Sequence, residues 1–449
     1  MNRREFLAGT ASLAVINALD RASSQAPFNS APADVTLHIA PARLELAPNK
    51  FVHTTAYNGS APGPLIRWPE GKSITIDVFN DTDSAELTHW HGLWIPSEVD
   101  GAMEEGTPMI PAHGHQRYTF TPRPAGTRWY HSHAYAGHDL KKSGYSGQHG
   151  FFLIEARENP APYDQEFFLT LHDWNAHMSG GSDDGFMNVT YDYASINGRM
   201  LGTGEPLRVH EGQRVLLRIL NASATETHWL ALPGHRFNVV ALDGNRVPNA
   251  KPVDTLRLGP AERIDAIVEM SAPGIWILGE SQSQFRKAGM GIVVEYANRQ
   301  GEPQWLQPPN LAWDYLAFAN STHAKEADER IPLIFKQKFA GHGDFDHWTI
   351  NGKSFPKTDT ITLREGRRYR LVMDNQSMDD HPIHLHRHSF ELASLEGHTA
   401  SGLLKDVVIV KAHSKAEVDV VAANPGPTLF HCHQQSHMDF GFMMLFRYA

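Results

Sequence analysis

The sequence predicts an all-β chain in which one β-domain plan is repeated three times. Its 449 residues fit roughly three domains of ~150 residues each. Short β-branched and aromatic runs, among them Phe151-Phe152-Leu153-Ile154, Phe167-Phe168-Leu169 and Val407-Val408-Ile409-Val410, alternate with Gly, Pro, Asn and Asp clusters, and long helical periodicity is scarce. One motif also recurs. Glu70-Gly71, Glu211-Gly212 and Glu365-Gly366 each precede a short apolar run and then an Asn nine residues after the Gly, at Asn80, Asn221 and Asn375.

Taken along the chain, Asn2-Arg3-Arg4-Glu5-Phe6-Leu7 resembles the twin-arginine export signal. The Phe6–Leu19 run behind it is broken by Thr10, Ser12 and Asn17, too short and too polar for a span of ~20 apolar residues. Ser24-Gln25-Ala26 offers small residues for cleavage. Residues 1–26 therefore read as a signal peptide for the twin-arginine machinery, and the mature chain is expected to be soluble and periplasmic, with no membrane span. The first β domain is expected over residues 27–158. Asn159-Pro160-Ala161-Pro162 marks a boundary, the second domain follows over 159–302, and the Pro-rich stretch from Pro303 to Pro309 opens the third, over 303–449. Each repeat reads as turn, strand, turn, and Asn197-Gly198 and Asn351-Gly352 set hairpin turns before the second and third. Strands this short and evenly spaced build antiparallel sandwiches or barrels. Ser321 to Arg330, polar and charged, reads as a surface excursion in the linker.

Hydrophobic residues make up 41% and charged residues 20%, a globular balance. Lys plus Arg is 40 and Asp plus Glu is 50, a net charge of −10 with no basic block, which argues against a nucleic-acid partner. There are 27 His and one Cys. No intramolecular disulfide and no Cys-rich zinc or iron–sulfur site can form. An excess of imidazole beside a single thiol points to metals that accept His.

Four His-x-His pairs stand out: His89-Trp90-His91, His131-Ser132-His133, His384-Leu385-His386 and His431-Cys432-His433. On a strand, residues two apart share a face, so each pair presents two imidazoles together. Spacing alone is weak evidence, because His113-Gly114-His115 and His386-Arg387-His388 share it. Position discriminates: two of the four pairs lie in the first repeat, two in the third and none in the second, so eight imidazoles from two domains are expected to converge on more than one metal. Cys432, between His431 and His433, points to the opposite side of the strand. His381, an odd offset before His384, and His437, in the turn after the last pair, are placed to join that sulfur. Cys432, His381 and His437 then form a His₂Cys trigonal set, the ligand type of blue copper sites.

With these motifs the chain resembles the three-domain multicopper oxidases, and among them the laccases. The motifs are His89-Trp90-His91-Gly92, Trp129-Tyr130-His131-Ser132-His133, His381-Pro382-Ile383-His384-Leu385-His386, and His431-Cys432-His433 followed by His437; Lys405-Asp406 and Asn424-Pro425-Gly426 match as well. The resemblance spans the whole mature chain. It implies three cupredoxin-like Greek-key β-sandwich domains and four copper ions. The type 1 copper would be held by His381, Cys432 and His437, and the type 2 copper by His89 and His384. The type 3 pair would be held by His91, His131, His133, His386, His431 and His433.

The resemblance places Phe442, which cannot coordinate, at the axial position of the type 1 copper; Met443 and Met444 follow it. It makes Asp100 a proton donor near the type 2 copper, while the Glu that several relatives carry after the last type 1 His is Met438 here, leaving Asp439 as a substitute. The implied activity is laccase-type (diphenol:oxygen) oxidation. A small reducing substrate, phenolic or aromatic amine, gives single electrons at His437, Cys432 carries them onward, and O₂ is reduced to water. A metal-ion oxidase acting on Fe(II), Mn(II) or Cu(I) is the alternative, with Asp379, Asp380 and Glu396 as the acids near the type 1 site; the 13 Met form no Met-rich cluster. A non-catalytic copper-binding or structural periplasmic protein is the alternative of another class.

Overall fold

The computed structural model describes residues 31–156, 162–179, 188–309, 311–339 and 347–449. The twin-arginine segment, its cleavage site and most of the first boundary motif lie outside the described residues. The described chain is nearly all β. Among the described residues no helix is long and apolar enough to cross a membrane.

Each of the three repeats folds as two sheets. In the first, a sheet ordered Lys50–Tyr57, Val35–Ala47, Ile74–Asn80, His115–Phe120 packs on one ordered Ile66–Pro69, His149–Glu155, Gly126–Ser132, Thr88–His91. Leu37, Ile39, Ile76, Trp90, Tyr130 and Phe152 close the core between them. The second sheet recurs in the same order, with a fifth strand added, in the other repeats: Leu207–Val209, Gly291–Tyr296, Ile275–Glu280, His228–Ala231, Thr255–Leu258, and then Ile361–Leu363, Met443–Tyr448, Thr428–Cys432, His381–Leu385, Val407–Val410. Burying both faces accounts for the unbroken apolar run of Val407–Val410. The stretch expected as a linker excursion ends in structure, because Glu329 begins the strand Glu329–Lys338 of the third repeat.

The recurring motif has a physical basis. Gly71, Gly212 and Gly366 sit at φ of 76°, 82° and 81°, a left-handed turn that Gly takes without steric penalty. The Asn at the far end ties the next loop down. Asn80 Nδ2 donates to Ser84 O and Ile110 O, Asn221 Nδ2 to Glu226 O and Leu258 O, and Asn375 Nδ2 to Asp379 O and Val410 O. In the first and third repeats that loop leads straight into the strand that carries the first His pair of the domain. The first repeat also has its Asn-Gly hairpin turn, Asn58-Gly59, both at positive φ.

Two sets of charges are sealed inside. At the junction of the three repeats Arg263 donates to both oxygens of Asp406 at 2.6 Å, Arg128 donates to Asp243 O at 2.6 Å, and Lys405 pairs with Asp243 and Glu262 at 2.9 and 3.0 Å. Each charge has a partner, as burial demands. Within the second repeat, His228 is clasped by Asp173 at Nε2 (2.8 Å) and Glu280 at Nδ1 (3.2 Å). Burial works to lower the pKa of His228, but the two carboxylates overcome it and push it up to about 10. Glu226, the third acid facing this imidazole, is pushed up to about 7 by burial and by Asp173.

A folded-state pKa above the unfolded value of ~6.5 makes the His228 contribution complete below pH ~6.5 and lost as pH rises through 10. Denaturant titrations of the full chain should therefore show stability falling across this window, with a much flatter profile in His228→Gln. Parallel profiles for the two proteins would refute the charged clasp.

Candidate metal centre

The inner strands of the first and third repeats face each other across the interface. Thr88–His91 pairs with Gly126–Ser132, so that His89 lies opposite His131; His381–Leu385 pairs with Thr428–Cys432, so that His384 lies opposite His431. His133, His386 and His433 follow directly where their strands end. All four pairs converge. Sets of ligand atoms lie within 4.8 Å of one another at His89/His91/His384, at His91/His131/His433 and at His133/His386/His431. Rings from the two repeats stack, His91 on His384 at 3.8 Å and His89 on His386 at 4.0 Å.

In most of the rings one nitrogen is anchored. Nδ1 of His89 donates to Asp100 O (2.8 Å), Nδ1 of His384 to Asp406 O (2.7 Å), Nδ1 of His131 to Ser132 O and Nδ1 of His431 to Cys432 O (both 2.9 Å). His91 is turned over: its Nε2 faces Asp406 Oδ1 at 3.1 Å. The opposite nitrogens, Nε2 of His89, His131, His133, His384 and His433 and Nδ1 of His91, are buried without a hydrogen-bond partner. Six such orphans aimed into one chamber fit a cation-binding site. Burial holds the imidazoles of His91, His131, His384, His386, His431 and His433 far below their ordinary range and that of His133 down to about 3. They are neutral, the form that ligates metal.

The second centre lies behind the same strand. Cys432 Sγ is 3.7 Å from His381 Nδ1 and 3.6 Å from His437 Nδ1, and the two nitrogens are 3.1 Å apart. Ser377 Oγ, 2.7 Å from His381 Nε2, sets that ring so that Nδ1 faces the sulfur. Trp348 lies against His437 at 4.0 Å between ring centroids. Burial pushes the Cys432 thiol up and the His437 imidazole down to about 3; a bound cation reverses the first effect, because a coordinating thiol is deprotonated. Phe442 lies with its ring 4.7 Å from that of His381, whereas Met443 packs with Ala102, Leu429 and Met438 and Met444 pairs with Phe430.

The acids divide by surroundings. Asp100 Oδ2 is 2.9 Å from His386 Nδ1 and 3.2 Å from His89 Nδ1. Glu105, missed in the sequence, lies beside it with Oε1 3.4 Å from His386 Nδ1, and burial together with the charge of Asp100 raises its pKa. A turn of 3₁₀ helix carries Glu105, and no spacing rule marks such a position. Asp439 is in none of the ligand sets: it accepts hydrogen bonds from Gly137 N (2.8 Å), Ala136 N (3.2 Å) and Gln435 Nε2 (2.9 Å). Asp380 is held by Arg257 (2.6 Å) and Glu396 by Lys411 (2.6 Å), while Asp379 Oδ2 lies 4.0 Å from the outer nitrogen of His437. The other His-x-His spacings stay apart. His113 and His115 pair with Asp83 and Asp77, and His388 contacts Tyr448.

A trigonal His₂Cys set, joined through one strand to an eight-imidazole chamber between two β-sandwiches, defines a copper protein with separate metal centres. Family models described as multicopper oxidase match residues 39–159, 165–295 and 332–449. The multicopper oxidase MmcO of Mycobacterium tuberculosis is 30% identical over 94% of this chain and 88% of its own. The multi-copper oxidase of Pseudomonas thermotolerans superposes with a TM-score of 0.74 at 26% identity, covering 93% of this chain and all of that one. The laccase of Botrytis aclada does so with a TM-score of 0.78 at 22% identity, covering 92% and 88%. The chain belongs to the multicopper oxidase family. Its three repeats are cupredoxin-like domains, copper is its cofactor, and its chemistry is the copper-dependent reduction of O₂.

Outer hydrogen-bond partners of metal-bound His govern affinity by ~10–100-fold. Ser377→Ala should weaken copper retention at the Cys432 site by that factor in chelator competition, leaving the imidazole chamber unaffected.

Proposed function

We propose that this chain is a laccase-type oxidase that takes single electrons from phenols or aromatic amines and uses four of them, with four protons, to reduce one O₂ to two waters. In this reading His381, Cys432 and His437 hold a type 1 copper. His89 and His384 hold a type 2 copper, and the remaining six His hold a type 3 pair, divided as His91/His131/His433 and His133/His386/His431. When bound, these ions supply the one-electron redox chemistry and the reduction of O₂.

The residues supply the rest. His437 presents its outer nitrogen to the reducing substrate, and Asp379 stands beside it. Cys432 links this site to the chamber through the few covalent bonds to its neighbours His431 and His433. Glu105, raised by burial and by the charge of Asp100, holds a proton beside His386. Asp439, fastened to the backbone at 136 and 137, serves better as a clamp on that loop than as a donor. The resemblance at residues 2–7 supports export to the periplasm.

One observation carries the substrate reading: the Asp379 carboxylate lies 4.0 Å from the outer nitrogen of His437, whereas Asp380 and Glu396 point to Arg257 and Lys411. A single carboxylate accepts a phenol's proton as its electron leaves, whereas a metal-ion substrate calls for several oxygen donors.

The copper-loaded chain should be blue and Cys432→Ser colourless. Asp379→Asn should lower kcat/KM for a dimethoxyphenol by ~10²-fold while sparing a one-electron donor that has no proton to lose. Efficient O₂ uptake with Fe(II), Mn(II) or Cu(I) alone, abolished in Asp379→Ala, would replace this reading with that of a metal-ion oxidase. Phe442→Met should lower the type 1 potential, because a thioether favours Cu(II) over Cu(I); an unchanged potential would remove Phe442 from the axial place.

A further inference from the structure

Strand register gives positions in the middle domain a counterpart in the third. Leu230 pairs with Glu280 as Ile383 pairs with Cys432, and His228 with Leu258 as His381 with Val410. The downstream backbone repeats too. Glu280 N donates to Met290 O as Cys432 N does to Phe442 O, and Met290 N donates to Phe285 O as Phe442 N does to His437 O. The short helices Ser283–Ala288 and Gln435–Asp439 start at the same offset, and each is followed by a Gly at positive φ, Gly289 and Gly441. His228, Glu280, Phe285 and Met290 therefore stand where the third domain has His381, Cys432, His437 and Phe442.

Side chains follow the backbone. His228 turns Nδ1 to Glu280 Oε2 (3.2 Å) and Nε2 to Ser223 Oγ (3.2 Å), as His381 turns Nδ1 to Cys432 Sγ (3.7 Å) and Nε2 to Ser377 Oγ (2.7 Å). The Phe285 ring lies 5.5 Å from that of His228 at 85°, and the His437 ring 5.0 Å from that of His381 at 68°. His228, Glu280 and Met290 are buried. The places of the paired His are taken by Ala231 and Gly279, which accounts for the absence of middle-domain imidazoles from the chamber. The first domain has its own copy, Glu86 and Ser132, joined by a hydrogen bond of 3.3 Å, but with no His.

We infer that the middle domain contains a latent type 1 copper pocket, closed by the Asp173–His228–Glu280 clasp. One imidazole is retained in ligand orientation, Met290 stands at the position of Phe442, a carboxylate replaces the thiolate and a phenyl ring the second imidazole. Asp173 at Nε2 is the kind of outer carboxylate that orients a metal-bound His. Two substitutions, Glu280→Cys and Phe285→His, complete a His₂Cys set. The inference rests on the type 1 reading of His381, Cys432 and His437.

The test uses the full chain in a Cys432→Ser background, which removes the native thiolate, with Cu(II) as the probe. Cys432→Ser/Glu280→Cys/Phe285→His should bind one more copper than Cys432→Ser and regain an intense visible thiolate-to-copper band with the narrow EPR hyperfine splitting of a blue site. A folded triple variant with neither the band nor the extra copper overturns the inference. Should the triple variant not fold, Cys432→Ser/Phe285→His, which keeps Glu280 as a carboxylate donor, should still bind one extra Cu(II) with a non-blue EPR signal; absence of that signal overturns the inference equally. Failure of the type 1 reading shows separately, as a wild type that stays colourless when loaded with copper.

Discussion

Side chains alternate across an extended strand, and on Thr428–Cys432 that alternation separates two environments by the thickness of one backbone. Cys432 sinks into the third domain, in the same apolar cluster as Ile383, Trp348 and Phe442. His431 and His433 emerge on the other face and meet rings from the first domain. Two candidate metal centres are thereby kept apart yet linked by a few bonds. His381, near Cys432, and His384, opposite His431, repeat the arrangement on the paired strand.

Such a chamber creates an electrostatic problem. Neutral imidazoles crowded in a dry space leave nitrogens unsatisfied, and burial of an uncompensated polar group is unfavourable. The solution is an outer layer, Asp100, Asp406, Ser377 and backbone carbonyls, that takes one nitrogen of most of the rings and leaves the other for the cation. Asp406 is itself held by Arg263 of the middle domain. That domain lends no imidazole, yet it braces the carboxylate that orients His91 and the carbonyl that orients His384.

The three domains show what register preserves when ligands change. The turn Gly, the loop-tying Asn and the strand order persist in all three, and the residues at the metal positions differ. Where the third domain places a sulfur and two imidazoles, the middle one places a protonated imidazole between carboxylates. Both arrangements satisfy buried polar groups, one designed around a cation and the other around a proton.

The sequence by itself determined the β class, the threefold repeat, the four His pairs and the opposed Cys432, because strand periodicity is local and two-valued. It also singled out Asp100 and Phe442 through the motifs around them. Glu105 beside His386, Trp348 against His437 and the capture of Asp380 by Arg257 were decided only by the tertiary structure. Each depends on segments distant in the chain, Asp380 being claimed by Arg257 of another domain, and no local period records which partner a folded neighbour will supply.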